Sequence, residues 1–196
     1  LMLAIGGWRL PAERFTRLID EHQFDLYNDP MPTMAALEGY INDTSSTLFS
    51  LSAAIAGQQS DAVEHLARHA GLAQGIAQVV AALPLDSSRR QLFVPLQLLE
   101  SHGIGMEEVF AGKETPQLRA ALDQLLGEAR GHLQTAFTLL ERVPSQVRRV
   151  FLPLALVSRD LKQMSRADND PFVPLLTSRF RTLWTLWWAS RSRPFS

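Results

Sequence analysis

Ala70-Gly71-Leu72-Ala73-Gln74-Gly75-Ile76-Ala77-Gln78-Val79-Val80, followed by Pro84-Leu85-Asp86-Ser87-Ser88-Arg89-Arg90-Gln91-Leu92-Phe93-Val94-Pro95, is the stretch on which the reading of this chain turns. Its first half is rich in Ala, Gly and Gln and belongs to a helix running from Asp61 to about Ala82. Pro84 halts that helix, because an interior proline removes a backbone hydrogen bond and its ring collides with the preceding turn. Gln74 and Gln78 lie four apart on one face. They either line a cavity or hydrogen-bond to each other. Arg89 and Arg90 suit phosphate, since the guanidinium fork grips oxygens in pairs. The alternative is two surface arginines, one of them paired with Asp86.

Working outward, the apolar residues keep helical spacing on both sides. Pro11 opens a first helix whose face is Phe15, Leu18, Ile19 and Phe24, and Asn28-Asp29-Pro30-Met31-Pro32 breaks it. Thr33 caps a helix from about Met34 to Ala56 that stops at Gly57. Its face is Leu37, Tyr40, Ile41, Leu48, Leu51 and Ile55, but its middle, Asn42-Asp43-Thr44-Ser45-Ser46-Thr47, is small and polar. Such residues inside a helix mark close packing or a cavity wall. After the opening stretch come short helices at Leu92–Glu100 and Met106–Phe110. A long helix follows from Pro116 to about Arg142, then one from Arg148 to Met164, and a last one over Leu175–Ser190 after Pro171 and Pro174. No alternating strand pattern of useful length appears. The expectation is an all-α helical bundle in a single domain.

The chain has 196 residues, of which 46% are hydrophobic and 20% charged, with a formal net charge of -1. That balance argues against nucleic-acid partners. Cysteine is absent, which removes disulfides, zinc-thiolate sites and thiol nucleophiles and fits a reducing, cytoplasmic setting. No run approaches the roughly 18 apolar residues of a spanning helix. His65 and His69 stand at i and i+4, but without a third ligand they read as a solvated face. From Pro171 onward there is no acidic residue, and Arg179, Arg181, Arg191 and Arg193 accompany Trp184, Trp187 and Trp188. That mixture suits a peripheral membrane contact. Alternatively, Leu183, Trp184 and Trp187 pack on the bundle as one buried face.

Three stretches, taken in order, resemble the squalene/phytoene synthase family, the head-to-head prenyl transferases. The first is Leu18–Leu26 with the helix bearing Tyr40 and ending at Gly57. The second is the opening stretch, with its Arg-x-x-hydrophobic-aromatic-hydrophobic-Pro ending. The third is Val143-Pro144 through Leu156, then Asp170-Pro171-Phe172. The resemblance implies the C-terminal two-thirds of an isoprenoid-synthase-type bundle. The N-terminal part, with the family's first Asp-rich motif, would lie upstream of Leu1. Gly71–Gly75 with Ser87-Ser88-Arg89-Arg90 is most similar to the branch of respiratory complex I assembly factors, which lacks the second Asp-rich motif.

In the synthases that second motif sets two aspartates four apart, where they hold magnesium against a prenyl diphosphate. Counting back from Pro95, the two positions fall on Ala82 and Asp86, the neighbouring acid on Leu85, and Pro84 disturbs the turn between them. The implied protein is a catalytically degraded relative that binds an isoprenoid, a lipid or a partner protein and serves assembly or scaffolding. It would work without a cofactor, in the cytoplasm or at the inner membrane, on the matrix side in a eukaryote. The alternative is an active prenyl transferase condensing two allylic diphosphates, with Mg2+ as cofactor and Asp86 and Tyr40 as catalytic residues. The resemblance implies Tyr40, Asp43, Gln74, Gln78, Arg89 and Arg90 as binding residues. Asp20, Asp25 and Asp86 are the candidate metal ligands.

Overall fold

The computed structural model describes residues 12–23 and 29–195, and no strand occurs among them. In chain order the helices are α1 (Ala12–Glu21), α2 (Met34–Ile41), a π-helical segment (Asn42–Ser46), α3 (Thr47–Ile55) and α4 (Asp61–Ser88). Then come α5 (Leu96–Ser101), α6 (Met106–Phe110), α7 (Pro116–Leu140), α8 (Ser145–Arg148), a 3-10 turn (Arg149–Phe151), α9 (Pro153–Met164) and α10 (Arg179–Ala189). The starts follow local chemistry. Thr33, Ser60, Thr115 and Ser178 each accept a bond from the backbone N–H three residues on.

The central element is α4, packed against α2, the π segment, α3, α7 and α9, most extensively against α7. Residues Ala70 to Ala77 are all buried except half-buried Gln74, the pattern of a helix surrounded by neighbours. Two glycines let one neighbour come close. A Cβ on Gly71 would lie 2.4 Å from the Ser46 Cα, and one on Gly75 would lie 2.6 Å from the Ile41 Cγ2. Ser46 in turn donates its hydroxyl to Arg68 O on α4 at 3.2 Å. The small polar middle of the α2–α3 path is thus a packing seam. It takes π geometry, with Thr47 Oγ1 donating to Asn42 O at 3.1 Å and Thr44 Oγ1 to Tyr40 O at 2.7 Å. Such wide turns move side chains off the regular helical register.

Pro84 does not halt α4, which continues through it to Ser88. Val80, Leu83 and Ser87 around the proline are buried, so tertiary packing holds the turn against the lost hydrogen bond. The helix stops instead at Arg90, whose φ of 57° is left-handed. Arg90 N–H donates to Ser87 O at 3.1 Å and Gln91 N–H to Asp86 O at 2.9 Å. This is a Schellman closure with arginine where glycine is usual. Residues 91–95 are consequently irregular rather than helical. Met31 pins them, donating to Leu92 O and accepting from Leu96 N–H, both at 2.8 Å.

α10 begins at Arg179, later than the spacing predicts, because Pro171 and Pro174 keep the preceding segment irregular. The alternative of a buried face on α10 is overturned. Phe180, Leu183, Trp184, Trp187 and Trp188 are 45–73% exposed, and only Ala189 is buried.

Candidate functional site

Between α2, the π segment, α4 and residues 91–93 lies a cleft of about 480 Å³. Ile41, Leu48, Val79 and Phe93 give it apolar walls, and Tyr40, Thr44, Ser45, Gln74, Gln78, Asp86, Arg89 and Gln91 bring polar groups to it. Gln74 is the one residue between Ala70 and Ala77 that is not buried, and it lies at the cleft. Gln78 follows one turn on. Both also border a smaller recess of about 240 Å³ with Pro153, Leu156, Val157 and Asp160 of α9. The Tyr40 ring sits 6.0 Å from Phe93 and 6.3 Å from His22. The His22 Nδ1 lies 2.7 Å from Leu18 O.

The decisive pair is Ala82 and Asp86. Both line the cleft, one turn apart, while Leu85 is 51% exposed. Pro84 has therefore not displaced the register as expected. The Ala82 methyl group and the Asp86 carboxylate thus face the same cleft, one turn apart. A magnesium cluster needs several hard oxygen ligands. Among the described residues Asp86 is the cleft's one carboxylate, and no group of three or more acidic, His or Cys side chains is placed to hold a metal ion. These residues do not fit the cation cluster by themselves.

The structure separates the other candidates. Asp43 faces away from this cleft, into a polar recess of about 450 Å³ where Arg17 pairs with it at 3.5 Å. The same recess holds Glu64, which accepts from Ser50 at 2.7 Å and Arg14 at 3.2 Å. Arg89 reaches the cleft, but left-handed Arg90 turns to Glu107, at 2.5 Å, and lies 4.8 Å from the Phe110 ring. Asp20 is exposed and lines none of these cavities. Asp25 lies outside the described residues. Sequence reasoning missed His22, Thr44, Ser45 and Gln91. The small polar run at 42–47 pointed toward Thr44 and Ser45, but nothing in the sequence placed His22.

The histidines correct a further expectation. His65 and His69 are not simply a solvated face. His69 Nε2 lies 3.1 Å from His65 Nε2, and His69 Nδ1 lies 2.9 Å from His132 Nδ1 on α7. Burial, followed by the charges of His132, His65 and Arg68, pushes His69 below its usual range. Burial also pushes His132 down, against the upward pull of Glu38 and Glu128.

An all-helical bundle with a polar-rimmed cleft along its central helix is the class of isoprenoid-synthase-type folds. The squalene/phytoene synthase family model matches residues 2–188, and the chain belongs to that family. It is 31% identical over 179 residues to rat (Rattus norvegicus) NADH dehydrogenase (ubiquinone) complex I, assembly factor 6, covering 91% of this chain and 54% of that one. It is 29% identical to phytoene synthase of Thermus thermophilus over 82% of this chain and 58% of that one. Squalene synthase HpnC from Alicyclobacillus acidocaldarius shares the fold, with a TM-score of 0.78 at 21% identity over 88% of this chain and 65% of that one. The chain thus spans little more than half the length of the curated relatives it matches.

Proposed function

We propose that this protein is a catalytically degraded member of the family that serves assembly or scaffolding, as the complex I assembly factors among its relatives are named to do. The carrying observation is Ala82 beside Asp86 on a turn that still faces the cleft. Departure of a diphosphate needs its developing charge clamped, and this wall supplies one carboxylate. The remaining lining, Tyr40, Gln74, Gln78 and Arg89 over apolar walls, suits an isoprenoid or lipid held without chemistry. The likeness to complex I assembly factors favours a partner in the same machinery and a mitochondrial or inner-membrane setting. No described helix is long and apolar enough to cross a membrane, and exposed α10, with its Trp and Arg residues, is the surface suited to lie on one.

The test is pyrophosphate release by the full-length protein from farnesyl or geranylgeranyl diphosphate with Mg2+. The expected result is no release above a protein-free control. Turnover with either substrate would establish the prenyl transferase instead, with Asp86 and Tyr40 at its centre.

A further inference from the structure

A cavity beside α10 shares no residue with the cleft. It has a volume of about 760 Å³ and lies between α7, α9, α10 and the C-terminal segment. Its apolar surface comes from Phe137, Ala155, Trp184, Trp188, Ala189 and Phe195. Two cationic side chains, Lys162 and Arg193, border it, and among the described residues no Asp or Glu does. The floor is fixed. Phe195 is 4% exposed and meets the Phe137 ring edge-on at 6.0 Å, and Arg148 donates to Pro194 O at 3.5 Å. Trp184 and Trp188 are more than half exposed even though they line it, so the cavity opens at the surface that α10 presents.

We propose that this cavity is a binding site for a single anionic amphiphile, an acyl chain with a phosphate or carboxylate head. The chain would lie between the aromatic rings, and the head would meet Lys162 and Arg193. The volume falls in the range of small-molecule sites. An apolar chain gains by leaving water. The guanidinium and ammonium groups select negative charge, and no acidic side chain lies in the segment from Pro171 onward that carries Arg193. The source is the membrane, so the inference rests on the interfacial reading of α10 for supply of the ligand, though not for the site itself.

Titration calorimetry with dodecyl phosphate below its micellar concentration tests the site. Saturable one-to-one binding is expected, with inorganic phosphate giving none and dodecyltrimethylammonium binding at least tenfold more weakly. Lys162→Glu with Arg193→Glu should weaken dodecyl phosphate at least tenfold. Ser158→Phe, which fills the cavity from α9, should do the same without altering charge. Equal affinity for the two amphiphiles, or indifference to both variants, overturns the proposal. Vesicles of phosphatidylcholine with and without phosphatidylglycerol form the separate arm. Trp187→Ser, outside the cavity lining, should weaken vesicle binding and leave dodecyl phosphate binding unchanged. Vesicle binding without dodecyl phosphate binding rejects the pocket alone. Dodecyl phosphate binding without vesicle binding keeps the pocket and rejects the membrane as its source.

Discussion

The seam between α4 and the π segment and the surface of α10 are built on opposite plans. At the seam, glycines bring two backbones to near contact, and Ser46 is buried and hydrogen-bonded across it. Along α10 the large rings sit at the surface, stacked mostly on one another. Trp184 lies 5.2 Å from Trp187, Phe180 6.2 Å from Trp184, and Arg191 4.1 Å over the Trp187 ring. The first region spends its small residues on fixing shape. The second leaves its most apolar residues outside the core. Fold and function are therefore separable here. Ala82 and Asp86 face the cleft rather than the core, and α10 presents its apolar rings at the surface.

The sharpest way to break that contrast is to add single methyl groups at the seam. Gly71→Ala should cost about 3 kcal/mol or prevent folding, because the new Cβ meets backbone atoms of Ser46 that cannot swing aside. Gly75→Ala should cost somewhat less, about 2 kcal/mol, since the clash there is with side-chain atoms of buried Ile41 rather than with backbone. Urea unfolding midpoints measure both. A Gly71→Ala protein as stable as wild type would show that the seam is looser than described.

On α10 the prediction reverses. Phe180→Ser with Trp187→Ser should change stability by no more than about 0.5 kcal/mol, as befits exposed positions. The same pair should lower partitioning onto anionic vesicles at least tenfold, roughly 1.4 kcal/mol. Co-sedimentation with vesicles and a urea curve on the same sample separate the effects. A large loss of stability with unchanged partitioning would make α10 part of the core after all.

Much of this contrast was legible in the sequence, and the failures share a cause. The 3.6-residue spacing gave the helices, the Thr33 cap and Pro116 gave two starts, and the count back from Pro95 placed Ala82 and Asp86 on one face. Those are local facts. Pro84 was misread because the packing of Val80, Leu83 and Ser87 is a tertiary fact that local propensity cannot include. Arg90 was grouped with Arg89 because nothing in an Arg-Arg pair announces that one of them will take the left-handed closing position. The alternative of a buried α10 face stayed open because an apolar stripe is the same pattern whether or not a partner covers it. His132 is 63 residues from His69, so no spacing rule links them.

On the cleft side, Ala82→Asp restores the second carboxylate on a turn that still faces the cavity. The substitution should be tolerated at a cost of about 1 kcal/mol or less, since Ala82 is only partly buried. It should also create Mn2+ binding, visible as loss of the free-ion paramagnetic resonance signal, where wild type shows none. Stoichiometric Mn2+ binding by the wild-type protein would mean that Asp86 already has acidic company, and the reading of a retired enzyme would fail.

The smallest effect sharpens the comparison from the α4–α7 side. His69 and His132 are both held below the ordinary histidine range, so the folded state takes up protons less readily than the unfolded chain. Stability is then full above about pH 6.5, where both states are neutral. It declines as pH falls from there toward the lowered folded-state values, because the unfolded histidines protonate first. The groups facing the pair set the size: His65 and Arg68 oppose a charge on His69, Arg68 also opposes one on His132, and Glu38 and Glu128 favour it there. His132→Gln removes one depressed group and the charge that disfavours the other, so it should flatten the decline. Urea midpoints measured between about pH 7.5 and about pH 5.5 should show wild type losing stability and the variant losing less. An equal decline in both proteins would assign the acid sensitivity elsewhere and leave the three imidazoles a packing contact only.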